Sequence, residues 1–410
     1  MKCRLASRSD MKDGKRMVRY GIDDITEEMV LGESLFLPSG ELLLAAGYRL
    51  KDRYRKRLKD LGFFSVLIQV EGTEEVIPET IISSLVQREM AVSMNSTVQN
   101  IREALPVKQQ GARAVQKLIR DNKQYLAKFI TNSGMGRAVE QFIEEILNQP
   151  SVVLNISEMG KSPGDLFTHA INVTVTALCL GRKFRFSYEE MKQLGIGAIN
   201  YDLGMVALPQ SILEKNEQLT NEETDMYRQH TVFGYLMLSQ NPAIPPTSSA
   251  VALQHHEHQD GSGYPRSIKG ENRPPLKDFS RKNVIHRFAE IVAVADVYDM
   301  LICGRKHECG KHRVQDALKT IIKMGGPSLN SEIVKALTSI VPVYPVGARI
   351  RIINAPVAQL VGYIGVVAGD NPENLELPRL ILYETKNHQR IKPILIDLAQ
   401  HKGFTFELVT

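Results

Sequence analysis

The stretch His255-His256-Glu257-His258-Gln259-Asp260-Gly261-Ser262-Gly263-Tyr264-Pro265 brings two adjacent imidazoles into an acid-and-glycine loop that ends in Tyr-Pro. Adjacent histidines are poor core residues, because each ring has a donor and an acceptor to satisfy. They are good metal ligands. Neighbouring side chains diverge on a helix, so the pair is expected to serve two neighbouring metals, or one metal and a substrate. The glycines that follow let backbone approach a ligand closely.

Working outward, the chain on both sides of this stretch is helical and rich in ligand-type residues. All ten histidines lie at or after position 169, so any imidazole chemistry belongs to the second half. Ser187 with Glu190, and Thr220 with Glu223, have the spacing of capping boxes and start two helices. Met191, Leu194, Ala198 and Asp202 then fall on one helical face, and Gly204 ends that helix. Met226, His230, Phe233 and Met237 share a face of the next. Val251 and His255 share a face of the helix that enters the opening stretch. Ile285, Ala289, Val292 and Asp296 share another, with Asp299 close beside. Around 165–180, a thin polar stripe of Asp165, His169, Asn172 and Thr176 runs through apolar neighbours.

Each of these has an ordinary explanation taken singly. A lone histidine on an apolar face is commonly a hydrogen-bonded core residue, and Asp296 has Arg287 and Lys282 as available ion-pair partners. A buried carboxylate such as Asp202 needs a cation or several donors. One shared metal centre accounts for His169, Asp202, His230, His255, His256 and Asp296 together. Imidazole and carboxylate without thiolate suit iron, manganese or another borderline metal better than structural zinc. A bridging carboxylate such as Asp202 suits two-metal hydrolysis of a phosphate ester.

Composition narrows the class. The formal net charge is +5, and residues 1–20 hold seven Lys/Arg against two Asp/Glu, so this segment carries the whole excess. The balanced remainder argues against a nucleic-acid-binding body. Cys3, Cys179, Cys303 and Cys309 show no paired spacing. No apolar run reaches bilayer-spanning length, and the N-terminus lacks the apolar core of a signal peptide. A cytoplasmic protein is expected. Four further segments surround the helical region: a basic tail over 1–17, a small α+β module over 18–75, a helical connector over 76–134 and, after the helical domain of 135–342, a β-rich domain over 343–410. In the first module, Tyr54–Leu61 reads as a basic amphipathic helix and Ser65–Val70 as a strand.

In this order the residues resemble the HD-GYP family of cyclic di-GMP phosphodiesterases, over about residues 135–340. The resemblance rests on the His255–Pro265 string, on Ile291-Val292-Ala293-Val294-Ala295-Asp296-Val297-Tyr298-Asp299, and on the helix that contains His169. It implies a mainly α protein built on an all-helical, metal-dependent phosphohydrolase domain. Two divalent ions, or three, with iron or manganese foremost, would support opening of cyclic di-GMP to linear pGpG and onward to GMP. It implies metal ligation by His169, Asp202, His230, His255, His256 and Asp296, with Asp165 and Tyr201 as further candidates and Asp202 as a catalytic residue. Gly263, Tyr264 and Pro265 would border substrate and meet diguanylate-cyclase (GGDEF) partners, Arg305 would contact substrate, and a homodimer is a further expectation. The family's H-D-x-G-K reads Tyr201-Asp202-Leu203-Gly204-Met205 here, and its R-P-Y-R element is altered around Arg305-Lys306-His307-Glu308. An imidazole has become a phenol and an ammonium a thioether, so impaired turnover is expected. The alternative is a degenerate domain that binds cyclic di-GMP or a partner and signals without hydrolysis.

Overall fold

The computed structural model describes residues 17–36, 42–61, 63, 65–70, 73, 81–107, 111–149, 154, 166–215, 217–277, 283–303, 312–371 and 374–409. The basic tail, apart from Met17, lies outside these residues, as do Asp165, Lys282 and Arg305. The chain begins with β1 (Met17–Gly21), β2 (Leu35–Phe36), β3 (Leu42–Leu44), α1 (Asp52–Asp60) and β4 (Ser65–Gln69). Helices follow: α2 (Ser84–Ala104), α3 (Ala112–Asp121), α4 (Lys123–Asn132), α5 (Met135–Asn148), α6 (Leu166–Lys183), α7 (Tyr188–Ile199), α8 (Gln210–Leu213), α9 (Asn221–Arg228), α10 (His230–Ser239), α11 (Pro246–Gln254), α12 (Arg287–Cys303), α13 (Val314–Met324) and α14 (Ser331–Thr338). The chain closes on β5 (Arg349–Asn354), β6 (Ile364–Gly369), β7 (Arg379–Glu384), β8 (Arg390–Asp397) and β9 (Thr405–Leu408).

Local signals set several of these boundaries. Ser187 Oγ accepts from the Glu190 N–H while the Glu190 carboxylate accepts from the Ser187 N–H, so both halves of the capping box are present. Thr220 and Glu223 do the same for α9. Gly134, at φ 80°, turns the chain between α4 and α5. Glu190 also ties two helix starts together, because Arg287 donates to it at 2.7 Å from the first turn of α12. Partial burial works against the Glu190 charge, but the bonds from Ser187 and Arg287 prevail and hold its carboxyl down to about 2. Arg287 is thereby committed to Glu190.

The helices bury one continuous apolar core. Met90 and Ile101 of α2 and Ile119 of α3 enter the same cluster as Phe142, Leu178, Met191, Phe233, Val251 and Ile291. The helices of 84–132 therefore close their apolar faces against the later helices. Cys179 lies in this core, where burial pushes its thiol up to about 12, leaving it inert as a nucleophile.

The strands form a second core that joins the two ends of the described chain. β1 pairs antiparallel with β4, with Val18 opposite Ile68. The C-terminal strands make an antiparallel sheet in the order β8-β7-β6-β5-β9. Val18, Leu31, Leu58 and Ile68 are buried in one cluster with Ile350, Val366, Leu380 and Leu382. The Arg19 N–H donates to the Gly347 carbonyl at 2.8 Å, and the Arg349 guanidinium lies 4.5 Å from the Tyr20 ring centroid.

Two outcomes are expected. Ile350 is fully buried, so Ile350→Ala should cost about 2–5 kcal/mol. Because its core is shared, hydrogen exchange should show lost protection in β1 and β4 as well as in β5; a loss confined to β5 contradicts the shared core. The second concerns pH. His286 Nδ1 accepts from the Phe288 N–H at 3.3 Å at the start of α12. Burial, and then the charge of Arg287, lower this imidazole to about 4. The unfolded chain takes up that proton near pH 6.5 while the folded chain does not. This contribution is therefore complete above about pH 6.5 and is lost as pH falls to about 4. Urea unfolding across this window should show the decline, and His286→Asn, which retains a capping acceptor, should flatten it.

Candidate metal centre

Helix ends, not helix faces, deliver the main ligand-type residues. α7 stops at Ile199, and Tyr201 and Asp202 lie in the turn that follows, with a 3-10 segment over Leu203–Ala207. Asp202 is thus not on the α7 face that the spacing implied. The helix expected to carry Met226 and His230 together is two helices, broken at Gln229, and His230 opens α10. A Cβ at Gly204 would overlap the His230 carbonyl oxygen and the Gly234 nitrogen. The absence of that carbon lets the 3-10 segment lie directly on the first turn of α10, which brings Asp202 to His230.

The imidazoles are then aimed by the backbone. His230 Nδ1 donates to the Tyr227 carbonyl at 2.7 Å. His255 Nδ1 donates to the carbonyls of Val251 and Ala252, at 3.1 Å each. A carbonyl can only accept, so Nδ1 carries the proton in both rings and Nε2 is left to face inward. The two Nε2 atoms are 3.4 Å apart, and each lies 3.5 Å from the same Asp202 oxygen.

His256 joins them. The α11 helix ends at Gln254, so the two histidines do not diverge as they would within a helix. Their ring centroids are 4.2 Å apart, and His256 also meets His230 at 5.1 Å. Burial, reinforced by the neighbouring His255 and His230, holds His256 well below the ordinary imidazole range, which favours its neutral ring. Among the described residues, Asp202, His230, His255 and His256 each offer a ligand atom, all within 4.8 Å of one another. Lone pairs and a carboxylate that converge this closely fit a cation, and the nitrogen–oxygen set suits iron, manganese or zinc.

His169 and Asp296 lie in an adjoining pocket. His169 Nε2 meets Asp296 Oδ1 at 2.7 Å, and its Nδ1 meets Asp299 Oδ2 at 2.6 Å. The Tyr201 hydroxyl donates to that same Asp296 Oδ1 at 2.8 Å. Its ring stands edge-on to His255 at 4.9 Å, so Tyr201 is the wall between the two pockets. Asn172 donates to Asp299 Oδ1 at 2.8 Å and the Cys303 thiol donates to it at 3.3 Å. Tyr201 is fully buried and His169, Asp296 and Asp299 are nearly so. The expected ligands therefore fall into two groups. Asp299 and Asn172 were not among them, although each sits three residues from one, Asp296 and His169, on the same helical face.

The opening stretch folds over the first pocket. The Glu257 carboxylate is buried and accepts the N–H groups of Arg266 at 2.7 Å and Ile268 at 3.0 Å. Gln259 bonds Glu290 and the Asn272 N–H. A Cβ at Gly263 would collide with the backbone of His256, Glu257 and His258, so only glycine lets Tyr264 stack on His256, at 4.8 Å and 23°. Arg228, an exposed residue in the last turn of α9, lies 5.2 Å from the Tyr264 ring centroid. Nothing in its spacing separates Arg228 from an ordinary surface arginine. Met205 is buried, 3% exposed, and brings no charge to this surface.

The HD domain family matches residues 152–333. A cyclic di-GMP phosphodiesterase of Pseudomonas aeruginosa is 24% identical over 303 residues, which is 74% of this chain and 68% of that protein. The cyclic di-GMP phosphodiesterase response regulator RpfG of Xanthomonas campestris is 26% identical over 73% of this chain and 78% of its own. A Thermotoga maritima cyclic di-GMP phosphodiesterase is 30% identical over 49% and 52%. A solved HD-GYP protein of Bdellovibrio bacteriovorus aligns with 79% of this chain and 99% of its own, at 14% identity and a TM-score of 0.38, a likeness too loose to bear on function. With a mainly helical fold, the His255–Pro265 string and the four-residue cluster in place, residues 152–333 form an HD domain similar to those of cyclic di-GMP phosphodiesterases.

Proposed function

We propose that this chain is a metal-dependent phosphodiesterase that hydrolyses cyclic di-GMP to pGpG and GMP in bacterial second-messenger signalling. The observation that carries the reading is the convergence of Asp202, His230, His255 and His256 beneath Tyr264. These four residues would hold a divalent ion, iron or manganese. Such an ion, when bound, lowers the pKa of water and polarises a phosphoryl oxygen. The family resemblance implies a second ion beside His169 and Asp296, which in this chain are already bonded to each other.

The chain's own groups do the rest. Asp202 is the proposed catalytic carboxylate; it would help to hold the ion and would orient the attacking water by accepting a hydrogen bond from it. Gly263, Tyr264 and Pro265 border the substrate. Arg228, held over the Tyr264 ring, supplies the positive charge for a phosphate that Met205 does not. Arg305, outside the described residues, is a further proposed substrate contact. Among the described residues no helix is long and apolar enough to cross a membrane. We place the activity in the cytoplasm, with the Gly263–Pro265 loop as a contact for a diguanylate cyclase and a homodimer as the proposed assembly.

The test is hydrolysis by the full chain loaded with Mn²⁺ or Fe²⁺ under reducing conditions. pGpG should form, and Asp202→Ala should lower the rate at least about 100-fold, the scale of one preorganised electrostatic contact. Saturable binding of cyclic di-GMP without product would favour the alternative, a domain that signals by binding. A separate outcome is expected for Arg228→Ala: KM for cyclic di-GMP should rise about tenfold, the equivalent of about 1.4 kcal/mol, with metal content unchanged. An unaltered KM removes Arg228 from the substrate site.

A further inference from the structure

The two pockets differ in what their atoms are already doing. In the first, the Nδ1 protons of His230 and His255 go to backbone carbonyls, and the Nε2 atoms converge with an Asp202 oxygen. In the second, the groups satisfy one another. Asp296 Oδ1 receives both the Tyr201 hydroxyl at 2.8 Å and His169 Nε2 at 2.7 Å. His169 is held from its other side by Asp299, which is itself fixed by Asn172. An ion entering between His169 and Asp296 would have to break two hydrogen bonds to one buried oxygen. Tyr201 would become a strong ligand only by losing the proton it gives to Asp296. Tyr201 is also fully buried and packs against His255, so it cannot swing aside without opening the core.

We propose that this chain binds one metal ion, at Asp202, His230, His255 and His256, and that the Tyr201 hydroxyl closes the neighbouring His169–Asp296 pocket to a second. The inference rests on the metal-dependent reading above and specifies its stoichiometry. His169 and Asp296 are then positioning residues, joined to the ligand cluster through Tyr201.

The experiment counts metal. Full-length protein is stripped with a chelator, reloaded with Mn²⁺ alone, freed of excess and assayed by elemental analysis and electron paramagnetic resonance. One Mn²⁺ per chain with an uncoupled signal is expected. Asp202→Ala should bring the count to zero, whereas Asp296→Ala should leave it at one. Tyr201→His should raise it to two and produce an exchange-coupled signal. Two ions in the unaltered protein, or a count that falls in Asp296→Ala, overturns the inference and leaves the phosphodiesterase reading standing. No metal in the unaltered protein overturns both.

Discussion

The site depends on where two imidazole protons are placed. His230 opens a helix and His255 closes one, and each gives its Nδ1 proton to a carbonyl of the adjacent turn. That choice leaves both Nε2 atoms facing a carboxylate oxygen at 3.5 Å. Convergent acceptors of this kind repel unless a positive charge lies among them. Removing the backbone partners would let the rings turn away. The close approach allowed at Gly204 serves the same end, since it sets the Asp202 turn on the first turn of α10.

The neighbouring pocket shows how similar residue types can give a different result. His169 and Asp296 are a histidine and an aspartate on packed helices, like the residues of the first pocket. Here the imidazole is clamped between two carboxylates and a phenol adds a second donor to one of them. The polar groups are satisfied within the protein, as buried groups generally are. Met205 is absorbed into the core, while Arg228 stands over Tyr264 at the mouth of the site. The four-residue cluster and a hydrogen-bonded network thus share the wall formed by Tyr201.

Much of this was legible in the sequence wherever the determinant was local. Capping boxes at Ser187 and Thr220, the amphipathic α1 and the β-rich character of the C-terminal segment follow from spacing and side-chain type. The His255–Pro265 string carried the family resemblance and two of the four clustered residues. Determinants that are not local were hidden. The break at Gln229 contains neither glycine nor proline, so one helix was expected where two occur. The convergence of His255 with His256 depends on α11 ending one residue earlier than the first of them. The core shared by Val18 and Ile350 joins residues more than three hundred positions apart. Arg228 gains meaning only from lying above Tyr264.

The central claim is that one cation site exists, and where. Anomalous diffraction from crystals of the metal-loaded protein, collected at the manganese and iron edges, locates it directly. The account predicts a single peak per chain bounded by Asp202, His230, His255 and His256, with Tyr201 still bonded to Asp296. A peak between His169 and Asp296, or none among the first four residues, would contradict it.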